Sequence, residues 1–489
     1  MELNDIIQQR IEKLDAFRRA GMDPFGSRFE RSGSIASVTQ DFQEGRPVTL
    51  AGRLFAKRKH GKVCFADLRD EQGRIQLYAR KDDPLDEASF ELFNKLDIGD
   101  IIGIEGETFK THTGEPTAKV NRFFLLAKSL RPLPEKWHGL KDVETRYRHR
   151  DVDLIANPQV RDVFMQRSRI LCVLRAFLSQ KGFLEVETPM MHPIAGGAAG
   201  RPFKTHHNEY DTDLYLRIAP ELYLKRLIVG GFEKIFEINR SFRNEGVSTR
   251  HNPEFTMLEL YQAYGDVEDM MRLTEDIFVH VAQEVFGRLT FEYQGNKIDL
   301  TPPWPRRSFA KAVKEGFDID PEDDAATMAA KLKKQGRPVE DRLTRSQIVR
   351  IVEEVLTAHG PQQPVFFTDY FSILCPLAKN RKDQPAISER FELYMGGMEV
   401  ANAYSELNDP QEQRRRLLEE MKDDAKAGRC LDEDFLRALE TGMPPTGGLG
   451  IGIDRMAMVF LDQPSIRDVI LFPLLRPDEG QKGEGEAEA

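Results

Sequence analysis

The chain has 489 residues, of which 31% are charged and 40% are hydrophobic. This length predicts roughly two to four domains. The formal net charge of −10 argues against a protein that binds nucleic acid over its whole surface, because such proteins are usually basic. We expect no membrane span, because no run of about 18 apolar residues occurs, and we expect no secretory signal in MELNDIIQQRIEK.

The cysteines lie far apart and form no Cys-x-x-Cys pair: Cys64, Cys172, Cys375 and Cys430. This pattern predicts neither a zinc site nor a disulfide framework, and it favours a reducing, cytoplasmic location. Basic stretches at 53–62 and 141–150 still permit a local RNA-facing surface on an acidic protein.

The N-terminal part of the sequence predicts a small β-barrel. An amphipathic helix at 3–20 precedes five short strand patterns between about 47 and 130. An OB-fold is the commonest barrel of this size that binds nucleic acid, although periodicity alone also allows an SH3-like barrel. Phe65 and Gln76 lie in two of these strands and suit the stacking and edge recognition of unpaired bases. A place in the barrel core is the commoner role for a residue such as Phe65.

The predicted domain organisation has four parts. Residues 1–135 form the N-terminal helix and barrel, and 136–144 form a linker, whose start overlaps the Pro-rich stretch RPLPEKWHG at 131–139. Residues 145–476 form a second domain, with a helical insertion at about 290–380. Residues 477–489 form an acidic, Gly-rich tail that we expect to be disordered.

Two alternating strand patterns joined by a charged loop span residues 232–264. Phe255, Glu259 and Tyr261 share one face of the second strand, and Arg243 ends the first. The loop adds Glu245 and His251. Rings, acids and an arginine on one face are typical of a sheet surface that forms the floor of a ligand-binding site. Arg243 alone, however, is more simply explained by a surface salt bridge.

A glycine-rich strand followed by a helix is predicted at 446–460, TGGLGIGIDRMAMVF. Gly452 and the glycines before it let a ligand approach the backbone, although glycine strands also mark close packing. Arg455 lies at the start of the helix, where a cation opposes the helix dipole unless an anion is bound. We therefore interpret this segment as a phosphate site.

Further acids indicate cation binding. Glu399 and Glu406 lie in FELYMGGMEVANAYSELNDP, and their spacing puts them on opposite faces of a regular strand, so a bulge or twist must bring the two acids together. Alternatively, Glu406 only precedes a helix that Asp409 caps. Glu221 and Glu259 could pair around a buried ammonium, although Glu221 also fits a role at a helix start.

These segments resemble known motifs. FRNEG followed by RHNPEFTMLELY resembles motif 2 of the class II aminoacyl-tRNA synthetases in their lysyl form, GFLEVETP resembles motif 1, and TGGLGIGIDRMAMVF resembles motif 3. The resemblance implies an α+β fold: an N-terminal OB-fold β-barrel plus a class II catalytic domain built on an antiparallel β-sheet flanked by helices. It implies a cytoplasmic homodimer that activates L-lysine with ATP and transfers it to the 3′-terminal adenosine of tRNA(Lys).

The resemblance also implies roles for individual residues. Arg243 and Arg455 would be catalytic. ATP would be bound by Arg243, Glu245, His251, Phe255, Gly452 and Arg455, and lysine by Gly197, Glu221, Glu259, Tyr261, Asn402 and Tyr404. Glu399 and Glu406 would bind magnesium, of which the family uses about three ions per subunit. Phe65, Gln76 and Glu115 would read the anticodon. Ala198 and Ala199 stand in a loop where the family often has serine.

Two other functions remain open at this point. A paralogue that lysylates a protein would resemble the catalytic domain alone, and the barrel before residue 135 argues against it. A non-catalytic RNA-binding protein with a relic synthetase domain would be expected to lack Arg243, Arg455, Glu399 or Glu406, and all four are present.

Overall fold

The computed structural model describes residues 3–134, 140–197, 200–340, 342–358, 360–423 and 431–477. The chain divides into two compact units, Met1–Asp142 and Val143–Ala489. Part of the predicted linker and nearly all of the acidic tail lie outside the described residues, as do Ala198, Ala199 and Cys430. Cys64, Cys172 and Cys375 are free thiols.

The first unit is a closed barrel with three helices among its described residues. The helices are α1 (Leu3–Arg19), α2 (Ile35–Gln40) and α3 (Glu87–Lys95). The strands are β1 (Pro47–His60), β2 (Val63–Arg69), β3 (Arg74–Arg80), β4 (Ile101–Lys110) and β5 (Pro116–Ala127). They pair in the order β1-β2-β3-β5-β4 and close on themselves, which leaves no unpaired strand edge.

Alternation along the strands separates the barrel core from its outer surface. Cys64 and Leu68 of β2 are fully buried inside the barrel, whereas Phe65 between them is only half-buried. Helix α1 docks through Arg10, whose guanidinium donates to the carbonyl oxygens of Ser129 at 2.8 Å and Ile98 at 3.2 Å. This arginine therefore has a structural role in its own unit.

The second unit contains the remaining helices and strands. Its helices are α4 (Val143–Arg148), α5 (Arg150–Ala156), α6 (Pro158–Gln180), α7 (Glu221–Val229), α8 (Val267–Val281), α9 (Phe309–Phe317), α10 (Ala325–Lys334), α11 (Arg345–Thr357), α12 (Pro410–Asp423), α13 (Glu433–Thr441) and α14 (Ile453–Phe460). Its strands are β6 (Leu184–Glu185), β7 (Met191–His192), β8 (Lys204–His207), β9 (Thr212–Leu216), β10 (Lys234–Phe242), β11 (Glu254–Ala263), β12 (Thr290–Tyr293), β13 (Asn296–Asp299), β14 (Arg306–Ser308), β15 (Val365–Phe371), β16 (Ile387–Met395), β17 (Met398–Ser405) and β18 (Thr446–Gly452). No helix in the described ranges is long and apolar enough to cross a membrane.

The main sheet of the second unit has the order β14-β15-β16-β17-β18-β11-β10-β6. Its neighbouring strands are antiparallel except at the edges, where β14 pairs with β15 and β6 with β10 in parallel. Leu260, Leu449 and Ala403 point to one face and join a core with helices α6, α8 and α14. The opposite face carries the polar residues of the site, so the strand period of two separates core from site.

The region predicted as a helical insertion is mixed. Helices α9, α10 and α11 form their own hydrophobic cluster around Phe309, Met328 and Val349. The same region, however, contains the β12–β13 hairpin and supplies β14 and β15 to the main sheet. Because β14 has only 3 residues and β12 and β13 have 4 each, these strands are too short to show clear alternation.

Candidate active site

The polar face of the main sheet forms the floor of the site. Strands β11, β18 and β17 are adjacent, and Gly450 lies between Glu259 on one side and Asn402 on the other. Because Gly450 has no side chain, the floor is open above it. A cavity of about 490 Å³ covers this face. Its lining includes every residue predicted for the catalytic site: Gly197, Glu221, Arg243, Glu245, His251, Phe255, Glu259, Tyr261, Glu399, Asn402, Tyr404, Glu406, Gly452 and Arg455.

The bulge expected between Glu399 and Glu406 is present. Tyr394 of β16 pairs with Glu399, whereas Leu393 pairs with Ala401, so β17 carries one extra residue. The shift puts Glu399 on the same face as Asn402. It does not bring Glu399 to Glu406, because the strand between them is extended and spans roughly 20 Å at about 3.3 Å per residue. The two acids therefore lie at opposite ends of the floor.

One end of the cavity is lined by guanidinium groups. The guanidinium of Arg243 lies 5.2 Å from the centre of the Phe255 ring, and burial lowers the pKa of Arg243. Arg455, in the first turn of α14, donates to the carbonyl oxygen of Glu399 at 2.7 Å and to its carboxylate at 3.2 Å. Two arginines and an aromatic ring can bind an anionic nucleotide.

His251 lies beside Arg455 at this end, with Nε2 3.2 Å from the guanidinium. Desolvation and the positive charge of Arg455 lower the pKa of His251, so the ring is neutral near pH 7. In the tautomer that fits these contacts, Nε2 accepts from Arg455 and Nδ1 donates to Ser248 Oγ at 2.9 Å. The exposed Glu245 lies in the same loop.

Glu392 was missed by the sequence reasoning and lies on the same face as Glu399. It precedes the tight turn at Gly396 and Gly397, which have φ of 61° and 73°, and that turn folds β16 back onto β17. Tyr370 and Tyr394 donate to its Oε2 at 2.8 and 3.0 Å. Burial raises the pKa of Glu392, whereas Arg390 opposes the shift. The Gly-Gly pair was a usable sequence signal, because it is typical of two-residue hairpins.

No group of three or more His, Cys, Asp or Glu side chains that could hold a metal alone occurs in the described residues. Glu392 and Glu399 do fit magnesium, because that ion is usually held by one or two carboxylates and completes its shell with phosphate oxygens and water. Arg455 at the same place would bring the phosphates to them.

The other end of the cavity is acidic and buried. Glu221, Glu259 and Glu406 are 5%, 8% and 1% exposed. Tyr404 donates to Glu221 at 2.7 Å, and Tyr261 donates to Glu259 at 3.3 Å. Burial, together with the negative charge of Glu221, raises the pKa of Glu259 to about 8. Three buried carboxylates are stable only with cations beside them, so this end can bind an ammonium group.

Glu406 belongs to this acidic end. It forms a buried ion pair with Lys225, and its other oxygen, Oε1, accepts no hydrogen bond from any residue that the structure describes. The predicted pairing of Glu406 with Glu399 around a metal is therefore not present in the structure. Asp409 does cap α12, with its carboxylate accepting from the amide of Gln411 at 2.9 Å.

Gly197 lies at the rim of the acidic end, where it adopts a φ of 88° that favours glycine. A side chain at this position would meet Ala219 and Glu221 at about 3.5 Å. The backbone at Gly197 can therefore approach a ligand held by Glu221.

The remaining predicted residues belong to the barrel, where Phe65 is half-buried and Gln76 is buried. Phe65 lies edge-on to Tyr78, with ring centres 5.4 Å apart. Gln76 donates to the carboxylate of Glu115 at 3.2 Å and accepts from the hydroxyl of Thr117 at 3.1 Å. Phe65 and Gln76 thus lie on the neighbouring strands β2 and β3, and Glu115 directly precedes β5. Phe65 lies outside the barrel core.

Comparison with known proteins agrees with this geometry. The family described as tRNA synthetases class II (D, K and N) matches residues 142–476, and the OB-fold nucleic acid binding domain matches residues 48–126. The chain therefore belongs to the class II tRNA synthetases of the D, K and N group, and its barrel is an OB-fold rather than the SH3-like alternative.

Relatives that match nearly the whole chain carry a more specific name. A protein of Carboxydothermus hydrogenoformans, named lysine--tRNA ligase, is 55% identical over 483 residues, which cover 97% of this chain and 99% of that protein. A protein of Moorella thermoacetica with the same name is 53% identical over 486 residues, with coverage of 97% and 99%.

Proposed function

We propose that this chain is a lysine–tRNA ligase, which activates L-lysine with ATP and transfers it to tRNA(Lys). The observation that carries the proposal is the division of one cavity into a guanidinium end, with Arg243 and Arg455, and a buried acidic end, with Glu221, Glu259 and Glu406. A nucleotide triphosphate fits the first end, and a side-chain ammonium fits the second.

The first step needs positioning more than proton transfer. The lysine carboxylate attacks the α-phosphorus of ATP, an oxygen–phosphorus bond forms, and pyrophosphate leaves with the bonding electrons. Arg243 neutralises the charge that develops at the α-phosphate, and Arg455 binds the outer phosphates. The ring of Phe255 stacks on adenine, while Glu245 and the neutral His251 make the remaining polar contacts.

The lysine substrate spans the floor. Its side-chain ammonium lies among Glu259, Glu406 and Tyr261, where Glu406 Oε1 is an unused acceptor. Its carboxylate points towards Arg243, and Asn402 lies between the two ends. This assignment moves Glu406 from the metal site, as first predicted, to the lysine site.

Glu392 and Glu399 would hold magnesium. The ion supplies charge neutralisation at the phosphates, as in other phosphoryl-transfer enzymes. The number of about three ions per subunit remains an expectation from the family resemblance. What this chain itself contributes is a pair of carboxylates held in place by Arg455, Arg390 and two tyrosines.

In the second step, the terminal adenosine hydroxyl of tRNA attacks the carbonyl carbon of the adenylate, and AMP leaves. The outer face of the barrel, with Phe65, Gln76 and Glu115, reads the anticodon through stacking and edge contacts.

We further infer a homodimer in the cytoplasm. Large exposed apolar side chains near the motif 1 segment, at Met165, Leu184 and Met191, support a partner surface.

Pyrophosphate exchange tests the proposal. The purified protein is assayed with each of the twenty amino acids in turn, and then in aminoacylation with bulk tRNA. We expect exchange with lysine alone and transfer to tRNA. Exchange with another amino acid in preference to lysine would overturn the substrate assignment, and exchange without transfer to any tRNA would favour a protein-modifying paralogue.

A further inference from the structure

Lys225 is a buried cation that contacts two of the acidic side chains lining the cavity, Glu221 and Glu406. Its side chain is 0% exposed, and its ammonium lies 2.7 Å from Oε1 of Glu221. It also forms an ion pair with Glu406 and lies 5.5 Å from the centre of the Tyr404 ring. The i, i+4 spacing on α7 brings Lys225 under Glu221, and the chain after β17 brings Glu406 to the same point.

The charges around Lys225 are unequal. Glu221 and Glu406 face it directly, and Glu259 of β11 lies in the same pocket beside Tyr261. Glu221 and Glu406 thus share one internal ammonium, and the pocket can accept further positive charge beside Glu259. Desolvation alone would lower the pKa of Lys225, but the negative charges of Glu221 and Glu406 raise it above its ordinary value. The side chain of Lys225 therefore stays charged.

We propose that Lys225 is a positioning residue for substrate recognition: a fixed counter-cation that holds the side chains of Glu221 and Glu406 in place as acceptors. Without this cation, two adjacent buried carboxyl groups share a proton, because both cannot ionise side by side. The protonated oxygen then becomes a donor and opposes the incoming ammonium, which has donors only. The free acceptors, Glu259 and Glu406 Oε1, are left for the substrate.

This inference rests on the proposed function, because it assigns a role within lysine binding. The test variant is Lys225→Met, which removes the charge at similar length. We expect the KM for lysine in pyrophosphate exchange to rise about 10- to 100-fold, since a charge-assisted acceptor is lost. The KM for ATP should stay within about twofold, because the guanidinium end is unchanged.

Norleucine gives the readout that separates charge from packing. It has the four side-chain carbons of lysine but no side-chain ammonium, so the loss of a carboxylate acceptor should leave its inhibition constant within about threefold of the wild-type value. A purely structural defect in the pocket would weaken norleucine and lysine together, and that result would overturn the positioning role.

A second variant keeps the test valid if Lys225→Met does not fold. Lys225→Gln keeps a donor for Glu221 without the charge, and we expect the same selective loss of lysine affinity. The matched control is Lys314→Met, which removes a lysine from an exposed i, i+4 pair with Asp318 on α9. A wild-type KM for lysine in Lys225→Gln would overturn the inference and leave the proposed function intact. Failure of the wild-type protein to activate lysine would instead overturn the function itself.

Discussion

Tyr404 donates its phenolic hydrogen to Oε1 of Glu221 over 2.7 Å, although the two residues are 183 positions apart in the sequence. The bond joins strand β17 to the first turn of α7. The sheet floor and the helix wall of the acidic pocket are therefore fixed to each other through one carboxylate, whose Oε1 is also the oxygen that meets Lys225.

Removal of this hydrogen bond tests whether a single contact within the acidic pocket contributes to lysine binding. Tyr404→Phe changes almost no volume but leaves Glu221 with one donor fewer. We expect a rise of roughly tenfold in the KM for lysine, which is the usual worth of a hydrogen bond to a charged group, and an unchanged KM for ATP. Pyrophosphate exchange measures both constants. Tyr210→Phe, at a tyrosine that is 77% exposed, is the control. An equal rise in both constants would mean that Tyr404 supports the whole site instead.

The raised pKa of Glu259 predicts a pH dependence of lysine binding. Because burial beside Glu221 raises this pKa to about 8, the carboxyl is mostly protonated in the ligand-free protein near neutral pH. An ammonium ligand favours the ionised form, so binding releases a proton. Affinity should therefore increase with pH below about pH 8, by at most about tenfold per pH unit.

Calorimetry in two buffers with different ionisation enthalpies measures this proton release directly. Glu259→Gln should bind lysine more weakly and should release less than half of the wild-type protons. If lysine binding takes up protons, or if its affinity is flat over this range, Glu259 does not titrate with the ligand.

Much of the fold followed from local patterns. The barrel was predicted because β1–β5 alternate clearly, and the site floor was predicted because β10 and β11 place rings and acids on one face. The insertion was predicted less well, because β14 is a strand only through its pairing with β15. Strand β15 pairs in turn with β16, which begins more than 75 residues after β14 in the sequence. Such pairing leaves little trace in a segment of 3 residues.

The site shows the same limit. Residues on one strand were predicted together, but Lys225 and Glu392 were missed because their roles depend on contacts between distant segments. Glu406 was assigned to a metal together with Glu399 from the family resemblance, and their spacing in the sequence did not show how far apart they lie along the strand. In the structure the extended strand β17 carries Glu406 away from Glu399, which supports the proposed reassignment of Glu406 to the lysine site.

The revised metal assignment can be tested by exchanging one acid at a time. We expect Glu392→Gln and Glu399→Gln to raise the magnesium concentration needed for half-maximal exchange by about tenfold, because each removes a carboxylate that faces the phosphates. Glu406→Gln should leave that concentration unchanged and raise the KM for lysine. Magnesium titrations at saturating lysine separate the two effects. The opposite pattern, with Glu406→Gln sensitive to magnesium, would restore the original pairing.

Gly450 tests whether the open floor is needed for substrate. A methyl group there would lie 3.3 Å from Cε of Met257 and 3.9 Å from Cγ of Glu259, so Gly450→Ala should fold. The methyl would occupy the space above the floor, and we expect kcat/KM for exchange to fall about 10- to 100-fold through displaced substrate. Gly316→Ala on α9, where the nearest atom is 3.9 Å away, is the matched control. A small effect at Gly450 would place the substrate elsewhere in the cavity.

The barrel surface should affect tRNA and not the activation of lysine. Phe65→Ala removes a half-buried aromatic ring on which a base can stack, and Gln76→Ala breaks the hydrogen bonds that join Gln76 to Glu115 and Thr117. Loss of base stacking or of an edge contact typically removes enough binding free energy to raise the KM for tRNA about tenfold or more. Pyrophosphate exchange without tRNA should not change, because the residues belong to the other unit of the chain. Phe25→Ala, at a phenylalanine of the same unit that is 50% exposed, controls for the loss of any aromatic ring. If all three variants charge tRNA equally well, the anticodon is read by a different part of the surface.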